Sequence, residues 1–161
     1  MIPLTLVGVR VEVPSNHPIV LLREEAPGRR YLPIFIGQPE ATAIVYALQG
    51  MEVPRPLTHD LFKSVLDRLA IRLEKVIITE LKEGTFYAEL ELVANATPYR
   101  VSSRPSDAIA LAVRYEEAVP IFAQESVLEE AGVVFDSEDE DDQVEQFREF
   151  LERVQPEDFA S

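Results

Sequence analysis

The sequence contains no cysteine among its 161 residues. A disulfide framework, a thiolate metal site and a cysteine nucleophile are therefore excluded, and the composition suits a reducing compartment. No stretch comes near the roughly 18 uncharged apolar residues that a membrane-spanning helix requires. The first residues, Met1 to Leu4, lack the basic region and the small-residue cleavage site of a signal peptide. We therefore expect a cytoplasmic protein with no membrane association.

Positive charge and glycine are both scarce. The 15 lysines and arginines face 29 acidic residues, which gives a net charge of −14, and residues 136–161 alone hold 11 of those acidic residues. An overall negative field repels phosphate backbones, so a role on nucleic acid has to rest on a local basic patch. With only 6 glycines, the chain shows no glycine-rich phosphate loop, and it also lacks a strong metal-binding signature and a serine-nucleophile elbow.

What the chain does contain is an ordinary apolar content arranged in short periodic segments, with 47% hydrophobic residues. Seven segments have the pattern of β-strands: residues 4–13, 19–22, 31–36, 71–81, 85–93, 99–102 and 120–123. Short turns join the first three, which indicates an antiparallel meander, and Glu83-Gly84 predicts a hairpin. In the first strand we expect Val7, Val9, Val11 and Val13 to share one face.

Helical periodicity separates and follows these strands. Helix starts are expected at Pro39, Thr58, Ala108 and Ser126. Thr58 is a suitable N-cap, and the second helix should bury one apolar face formed by Leu61, Val65, Leu66 and Leu69. Residues 108–113 are apolar all round and should form the most buried helix. The pattern predicts a compact α+β domain over residues 1–134, with an antiparallel or mixed sheet packed against helices.

The remaining residues, 135–161, have a different character. Residues 136–142 are too charged to pack, and we interpret them as a solvated linker. An amphipathic helix should follow, with an apolar stripe formed by Val144, Phe147, Phe150, Leu151 and Val154. Such a stripe requires a partner, which could be this domain or another chain.

The polar residues that could carry chemistry lie at the predicted helix starts. They are Glu40, Arg55, His59, Asp60, Arg104, Ser106 and Asp107. Hydrolysis of a phosphodiester requires such a set, because carboxylates such as Asp60 and Asp107 can hold Mg²⁺ or Mn²⁺. His59 could transfer a proton near neutral pH, with Glu40 assisting. The two arginines, with Ser106, could contact phosphate.

A structural reading of the same residues is open as well. Acidic residues in the first turn of a helix interact well with its dipole, commonly by about 0.3–1 kcal/mol. Thr58 and Ser106 are ordinary capping residues, and an arginine before a helix often pairs with a neighbouring carboxylate. The structural role is favoured for Glu40, the two roles are evenly matched for Asp60 and Asp107, and His59 favours function.

Three runs of sequence resemble the bifunctional nuclease domain family. They are residues 32–37 followed by Glu40-Ala41, residues 55–61 (Arg-Pro-Leu-Thr-His-Asp-Leu), and residues 104–112 (Arg-Pro-Ser-Asp-Ala-Ile-Ala-Leu-Ala). They occur in the order and at the separations usual for the family, over roughly residues 2–133. The chain as a whole, including its ending Pro-Glu-Asp-Phe at 156–159, is similar to the short actinobacterial members.

The resemblance implies a compact α+β domain that self-associates, most simply as a homodimer. It also implies action on RNA and DNA, since the family takes its name from a plant member with both activities. Two departures limit what can be transferred. Ser102-Ser103 stands where many relatives have an acidic residue, which removes a candidate metal ligand. The acidic tail replaces the C-terminal module of plant members, so partner binding through that module is not expected here.

Two functions of different class follow from the sequence. The first is a nuclease of low sequence specificity that uses a divalent metal near Asp60 and Asp107. The second is a non-catalytic interaction or regulatory module, in which the motif residues cap helices and build an oligomer interface. A third hypothesis combines them: the acidic tail mimics nucleic acid, covers a basic patch and inhibits the enzyme in cis. In that case removal of the chain after Val134 should raise activity.

Overall fold

A computed structural model describes residues 1–11, 15–25, 29–135 and 140–154, with the backbone alone for residues 140–144. Its strands are β1 (Ile2–Val11), β2 (Pro18–Glu24), β3 (Tyr31–Phe35), β4 (Ile71–Lys82), β5 (Thr85–Ala94), β6 (Thr97–Ser103) and β7 (Ile121–Ala123). Its helices are α1 (Gln38–Leu48), α2 (Thr58–Arg68), α3 (Pro105–Ala112), α4 (Glu125–Ala131) and α5 (Glu140–Arg153).

The strands form one mixed sheet in the order β3-β2-β1-β7-β4-β5-β6. Strands β1 to β3 make one antiparallel meander and β4 to β6 make a second. The short strand β7 joins the two, because it pairs antiparallel with β1 and parallel with β4. Glu83 and Gly84 both have positive φ, as a two-residue hairpin turn requires. The predicted α+β class and the mixed sheet packed with helices are confirmed.

One face of the sheet is covered by α1 to α4, and the main core lies between them. Helix α3 is the most buried of the described helices, since every residue from Pro105 to Ala112 except Asp107 is buried, as its apolar sequence predicts. Gly50 follows α1 with φ +61°, a left-handed conformation that glycine adopts without strain at a helix end. Within the described ranges, no helix is long and apolar enough to cross a membrane.

The first strand departs from the expected alternation. Leu6 pairs with Leu22 and Gly8 pairs with Leu21, so the register shifts between them and Val7 becomes the extra residue of a bulge. Val9 packs against the main core, whereas Val7 and Val11 are exposed. The prediction that these valines share one face is therefore wrong. Val13 lies outside the described residues.

The other face of the sheet is covered at β2 and β3 by the C-terminal helix. Phe147 and Leu151 of α5 are buried in a second apolar cluster with residues of those two strands, namely Ile19, Leu21, Tyr31 and Phe35. The ring of Phe135 lies 5.1 Å from that of Tyr31 and 6.0 Å from that of Phe147. The partner of the stripe from Phe147 to Val154 is thus this domain itself, and the side chain of Val144 lies outside the described residues. Helix α5 begins at Glu140, inside the segment interpreted as a linker, and residues 136–139 are not described.

Helix α2 does not bury the face that its sequence predicts. Leu66 is its one buried residue, and it packs into the main core. The other apolar residues of the predicted stripe, Leu61, Val65 and Leu69, are between 45% and 64% exposed. Helical spacing shows that a helix has an apolar face, but it does not show whether this domain supplies the partner.

Candidate functional site

The starts of α1, α2 and α3 lie close together on the helical face of the sheet. Proline occupies the first turn of both α1 and α3, where its fixed φ favours the helix and its missing N–H costs nothing. Helix α3 packs against both α1 and α2. Residues from all three sequence motifs, which are far apart in the chain, therefore meet at one place.

The central contact joins His59 of α2 to Asp107 of α3. The His59 Nε2 atom lies 2.9 Å from Asp107 Oδ1, and the two side chains are 12% and 33% exposed. Burial raises the pKa of Asp107, but hydrogen bonds from Arg104 and His59 outweigh that effect, so its pKa lies below the ordinary value. Asp107 is therefore ionised at neutral pH and can only accept hydrogen bonds.

An ionised Asp107 fixes the tautomer of a neutral His59. The proton must lie on Nε2, which leaves the lone pair on Nδ1. His59 makes no hydrogen bond other than that to Asp107 among the described residues. The one buried side-chain N or O atom without a partner in the described part of the chain is Tyr115 Oη, so His59 Nδ1 is not sealed from solvent. This nitrogen can take a proton from a molecule at the surface.

Arg104 extends the contact to α1. Its Nε donates to Asp107 Oδ2 at 2.7 Å and its Nη2 donates to Glu40 Oε1 at 2.9 Å. Glu40 is held close to the backbone at Gly37, where an added Cβ would lie 2.3 Å from Glu40 Oε2. The four side chains of Glu40, Arg104, Asp107 and His59 thus form one chain in which acidic and basic residues alternate, and we call it the relay chain.

Asp60 belongs to a separate ion pair that the sequence did not reveal. Its Oδ1 accepts from Arg114 Nε at 2.6 Å, and its Oδ2 accepts from the backbone N–H of Leu57 at 2.9 Å. Asp60 therefore caps α2, while the predicted cap Thr58 is already the first helical residue. Burial raises the pKa of Asp60, but the Leu57 N–H and the Arg114 guanidinium more than offset it, so the pKa is lowered.

Arg114 is the most buried cation of the site, with a side chain only 6% exposed. Besides Asp60, it donates to the carbonyl oxygens of Ala110 at 2.5 Å and Ala43 at 3.1 Å. It therefore ties the start of α2 to α1 and to the end of α3. The available sequence signal was its position two residues beyond a helix, where basic side chains often bind the last carbonyls.

The predicted metal ligands Asp60 and Asp107 are engaged in different contacts. Each carboxylate is held by its own arginine, and among the described residues no three histidine or acidic side chains lie close enough to share an ion. A protein cage of three ligands does not fit this arrangement, so we route no chemical step through a metal. The predicted metal role of these residues remains a prediction.

The two other predicted phosphate contacts differ in accessibility. Arg55 is exposed in the loop before α2, and within the described ranges its side chain makes no hydrogen bond or ion pair. Ser106 is fully buried in α3 and has its own contacts inside the fold. Arg55 is therefore available to a molecule in solution, whereas Ser106 is not in this arrangement.

Comparison with known proteins agrees with this assembly of motifs. The model of the bifunctional nuclease domain matches residues 20–136, which contain every residue of the relay chain. The chain belongs to the bifunctional nuclease domain family. An uncharacterised protein of Mycobacterium tuberculosis is 50% identical over 164 aligned positions, which cover 97% of this chain and 96% of that protein.

Plant members of the family are more distant. The protein named bifunctional nuclease 1 of Oryza sativa subsp. indica is 28% identical over 116 residues, or 70% of this chain and 34% of that protein. The Arabidopsis thaliana protein of the same name is 29% identical over 103 residues, or 62% of this chain and 32% of its own length. This chain thus spans about a third of the length of these plant relatives.

Proposed function

We propose that the protein hydrolyses phosphodiester bonds in RNA and DNA with low sequence specificity. The observation that carries this proposal is the relay chain, which ends at His59, whose Nδ1 makes no hydrogen bond among the described residues. A histidine held by an ionised carboxylate is a common general base, and the carboxylate stabilises the imidazolium that forms. Membership of the bifunctional nuclease domain family supports the same chemistry.

In the proposed reaction His59 Nδ1 takes a proton from the water that attacks phosphorus. A new P–O bond forms, the bond to the leaving oxygen breaks, and that oxygen takes a proton from solvent. Arg55 and the exposed Arg104 bind the phosphate oxygens and partly neutralise their negative charge, which favours attack by the water. Arg104 Nη1 makes no hydrogen bond within the described residues, so it can do this without leaving Asp107. Glu40 positions Arg104.

The direct test is cleavage of labelled single-stranded RNA and DNA by wild-type protein and by Asp107→Asn, purified identically. An amide at 107 can no longer hold the imidazolium, and we expect cleavage to fall about 10²-fold, the cost of misplacing a catalytic group. Both proteins should be assayed with Mg²⁺, Mn²⁺ or EDTA, which also measures the metal dependence. Equal cleavage by folded wild-type and variant protein would disprove this site.

Inhibition in cis by the acidic tail stays a prediction, because most of its acidic side chains, in residues 136–144 and 155–161, lie outside the described residues. The apolar contacts of α5 lie on β2 and β3, on the face of the sheet opposite to α1, α2 and α3. Among the described residues, no hydrogen bond or ion pair joins α5 to the relay chain. The described part of α5 therefore lies away from the relay chain.

A second candidate function, an interaction module, is favoured by the exposed apolar face of α2. Leu61, Val65 and Leu69 form a stripe that this domain leaves open, and such patches mark association sites. The partner that fits best is a second copy of the chain, because a two-fold axis would bury the same apolar stripe on both copies. This homodimer is compatible with catalysis at the relay chain.

The dimer is tested by light scattering coupled to size-exclusion chromatography at tens of micromolar protein. We expect wild-type protein to elute with twice the mass of one chain, and Val65→Lys combined with Leu69→Lys to elute as a monomer that remains folded. Glu129→Lys, an exposed change on α4, is the matched control and should remain dimeric. A monomeric wild-type protein would contradict the interaction module and leave the nuclease proposal standing.

A further inference from the structure

A small open pocket lies beside the relay chain and is not used by the proposed chemistry. It has a volume of about 250 Å³ and lies between the second half of α1, the loop that follows it, the start of α2 and the end of α3. Its walls are Tyr46, Ala47, Met51, Val53, Leu57, Asp60, Val113 and Arg114. It adjoins the relay chain through α2, because the wall residue Asp60 follows His59 in the sequence.

We propose that this pocket binds one nucleobase of the substrate, and thereby positions the adjoining phosphodiester at His59. This inference rests on the proposed nuclease function for its biological meaning, but the binding can be measured separately. Three properties of the pocket carry it: its size, its charge balance and the arrangement of its polar groups.

The size and the walls suit a single planar ring. Ligand pockets commonly have volumes of about 300–1,000 Å³, so about 250 Å³ admits one small heterocycle and not a helix or a folded peptide. Six of the eight wall residues are apolar or aromatic, and Met51, Leu57 and Val113 are available to the faces of a ring. Tyr46 adds an aromatic side chain, and stacking of a base on an aromatic ring contributes about 1–3 kcal/mol.

The charge balance favours a neutral ligand. Arg114 and Asp60 are the two charged residues of the wall, and their side chains are in contact at 2.6 Å. A phosphate in the pocket would be repelled by the Asp60 carboxylate, and an amine would be repelled by the Arg114 guanidinium. A nucleobase is polar but uncharged, so it avoids both penalties.

The polar groups match the edge of a base. A guanidinium has five N–H donors, and the three bonds of Arg114 use one each from Nε, Nη1 and Nη2. One N–H therefore remains on each terminal nitrogen. The carboxylate oxygens of Asp60 each accept one bond and keep a second acceptor site. Adjacent donors and acceptors occur on the Watson–Crick edge of every base, which agrees with low sequence specificity.

The neighbourhood of the pocket then places the phosphate. Arg55 lies in the chain between two wall residues, Val53 and Leu57, and it is exposed without an ion pair in the described residues. His59 follows next to Asp60 on α2. In the proposed arrangement the phosphate of a nucleotide whose base fills the pocket lies outside the walls and meets Arg55 and His59, which are sequence neighbours of the wall residues.

The experiment is a titration of ¹⁵N-labelled full-length protein with uridine, uridine 5′-monophosphate and inorganic phosphate, followed by amide chemical shifts. We expect both uridine compounds to shift the amides of Met51, Val53 and Val113, with dissociation constants of about 1 mM or tighter. Ala47→Leu, which fills the pocket, should weaken uridine binding at least about tenfold. Ala118→Leu, an exposed change outside the pocket, should bind as wild type.

The outcomes distinguish a failure of the base-pocket proposal from a failure of the nuclease proposal. Shifts produced by phosphate and the monophosphate but not by uridine would overturn the base pocket, as would uridine binding that Ala47→Leu leaves unchanged. Cleavage of RNA by Ala47→Leu with wild-type kcat and KM would overturn the pocket and leave the nuclease intact. Uridine binding that Ala47→Leu weakens, in a protein that cleaves nothing, would support the pocket and defeat the nuclease.

Discussion

Replacing His59 by alanine is expected to lower kcat/KM for RNA and DNA cleavage by about 10²–10⁴-fold, the usual contribution of a general acid or base. The expected loss is large because His59 supplies the one relay-chain nitrogen that we assign to proton transfer. Its side chain is only 12% exposed, so the change also opens a small cavity. The cleavage rate should nevertheless fall strongly, while the free energy of unfolding changes much less.

The chain offers a matched control for this experiment, since it contains 2 histidines. His17 lies exposed in the turn before β2, with its ring against the edge of Phe35 at 6.5 Å. His17→Ala should cleave at the wild-type rate, and both variants should retain cooperative thermal unfolding. Similar losses in the two variants would show that cleavage does not depend on the relay chain.

Replacing Arg114 by methionine is expected to lower the free energy of unfolding by about 3 kcal/mol. Breaking a buried ion pair from one side costs about 3–5 kcal/mol, because the remaining groups lose their partners. Here the Ala43 and Ala110 carbonyls and the Asp60 carboxylate lose their bonds to the guanidinium. The lower end of the range applies, since Asp60 is 31% exposed and water can partly replace the lost contact.

Urea unfolding at neutral pH measures this effect. Arg72→Met is the control, because the Arg72 side chain is 74% exposed and, among the residues that the structure describes, bonds only to Glu74. It should change stability by less than about 0.5 kcal/mol. If Arg114→Met is as stable as that control, the guanidinium does not hold the three helices together. The same variant should show reduced uridine binding, since Arg114 also lines the pocket.

The effect of Arg114 should depend on pH in a defined direction. The pKa of Asp60 in the folded protein lies below its ordinary value of 3.8. A group of this kind contributes stability above its unfolded pKa and loses that contribution as the pH falls through the folded pKa. The difference between wild-type protein and Arg114→Met should therefore be constant at neutral pH and should narrow below about pH 4. A difference that widens in acid would contradict the pairing.

Local features of the fold could be predicted from the sequence, and long-range features could not. The hairpin at Glu83-Gly84 and the buried helix α3 follow from patterns within a few residues. The central position of β7 in the sheet could not be predicted from the sequence, because the position of a three-residue strand depends on its pairing with β1 and β4. The bulge at Val7 reverses the face of the following residues for a similar reason, as the partner strand sets the register.

The same distinction applies to the site. Each motif contains its polar residues, so Glu40, His59 and Asp107 could be selected, but their mutual contacts depend on the packing of α1, α2 and α3. Arg114 was not predicted as a site residue, because its partners are a carboxylate on another helix and two backbone carbonyls. Carbonyl acceptors have no side-chain signature, so the one sequence signal was the position of Arg114 just beyond the end of α3.

The position of β7 also determines when the sheet can be completed during synthesis. Each three-stranded meander can pair as soon as its own residues have left the ribosome, because its contacts are local. The strand that unites them is Ile121–Ala123, and it is made after every other strand and after α1, α2 and α3. A nascent chain that stops before Ile121 therefore has two separate halves of a sheet, with the edges of β1 and β4 unpaired. Helices α1, α2 and α3 therefore leave the ribosome before the sheet on which they pack is complete.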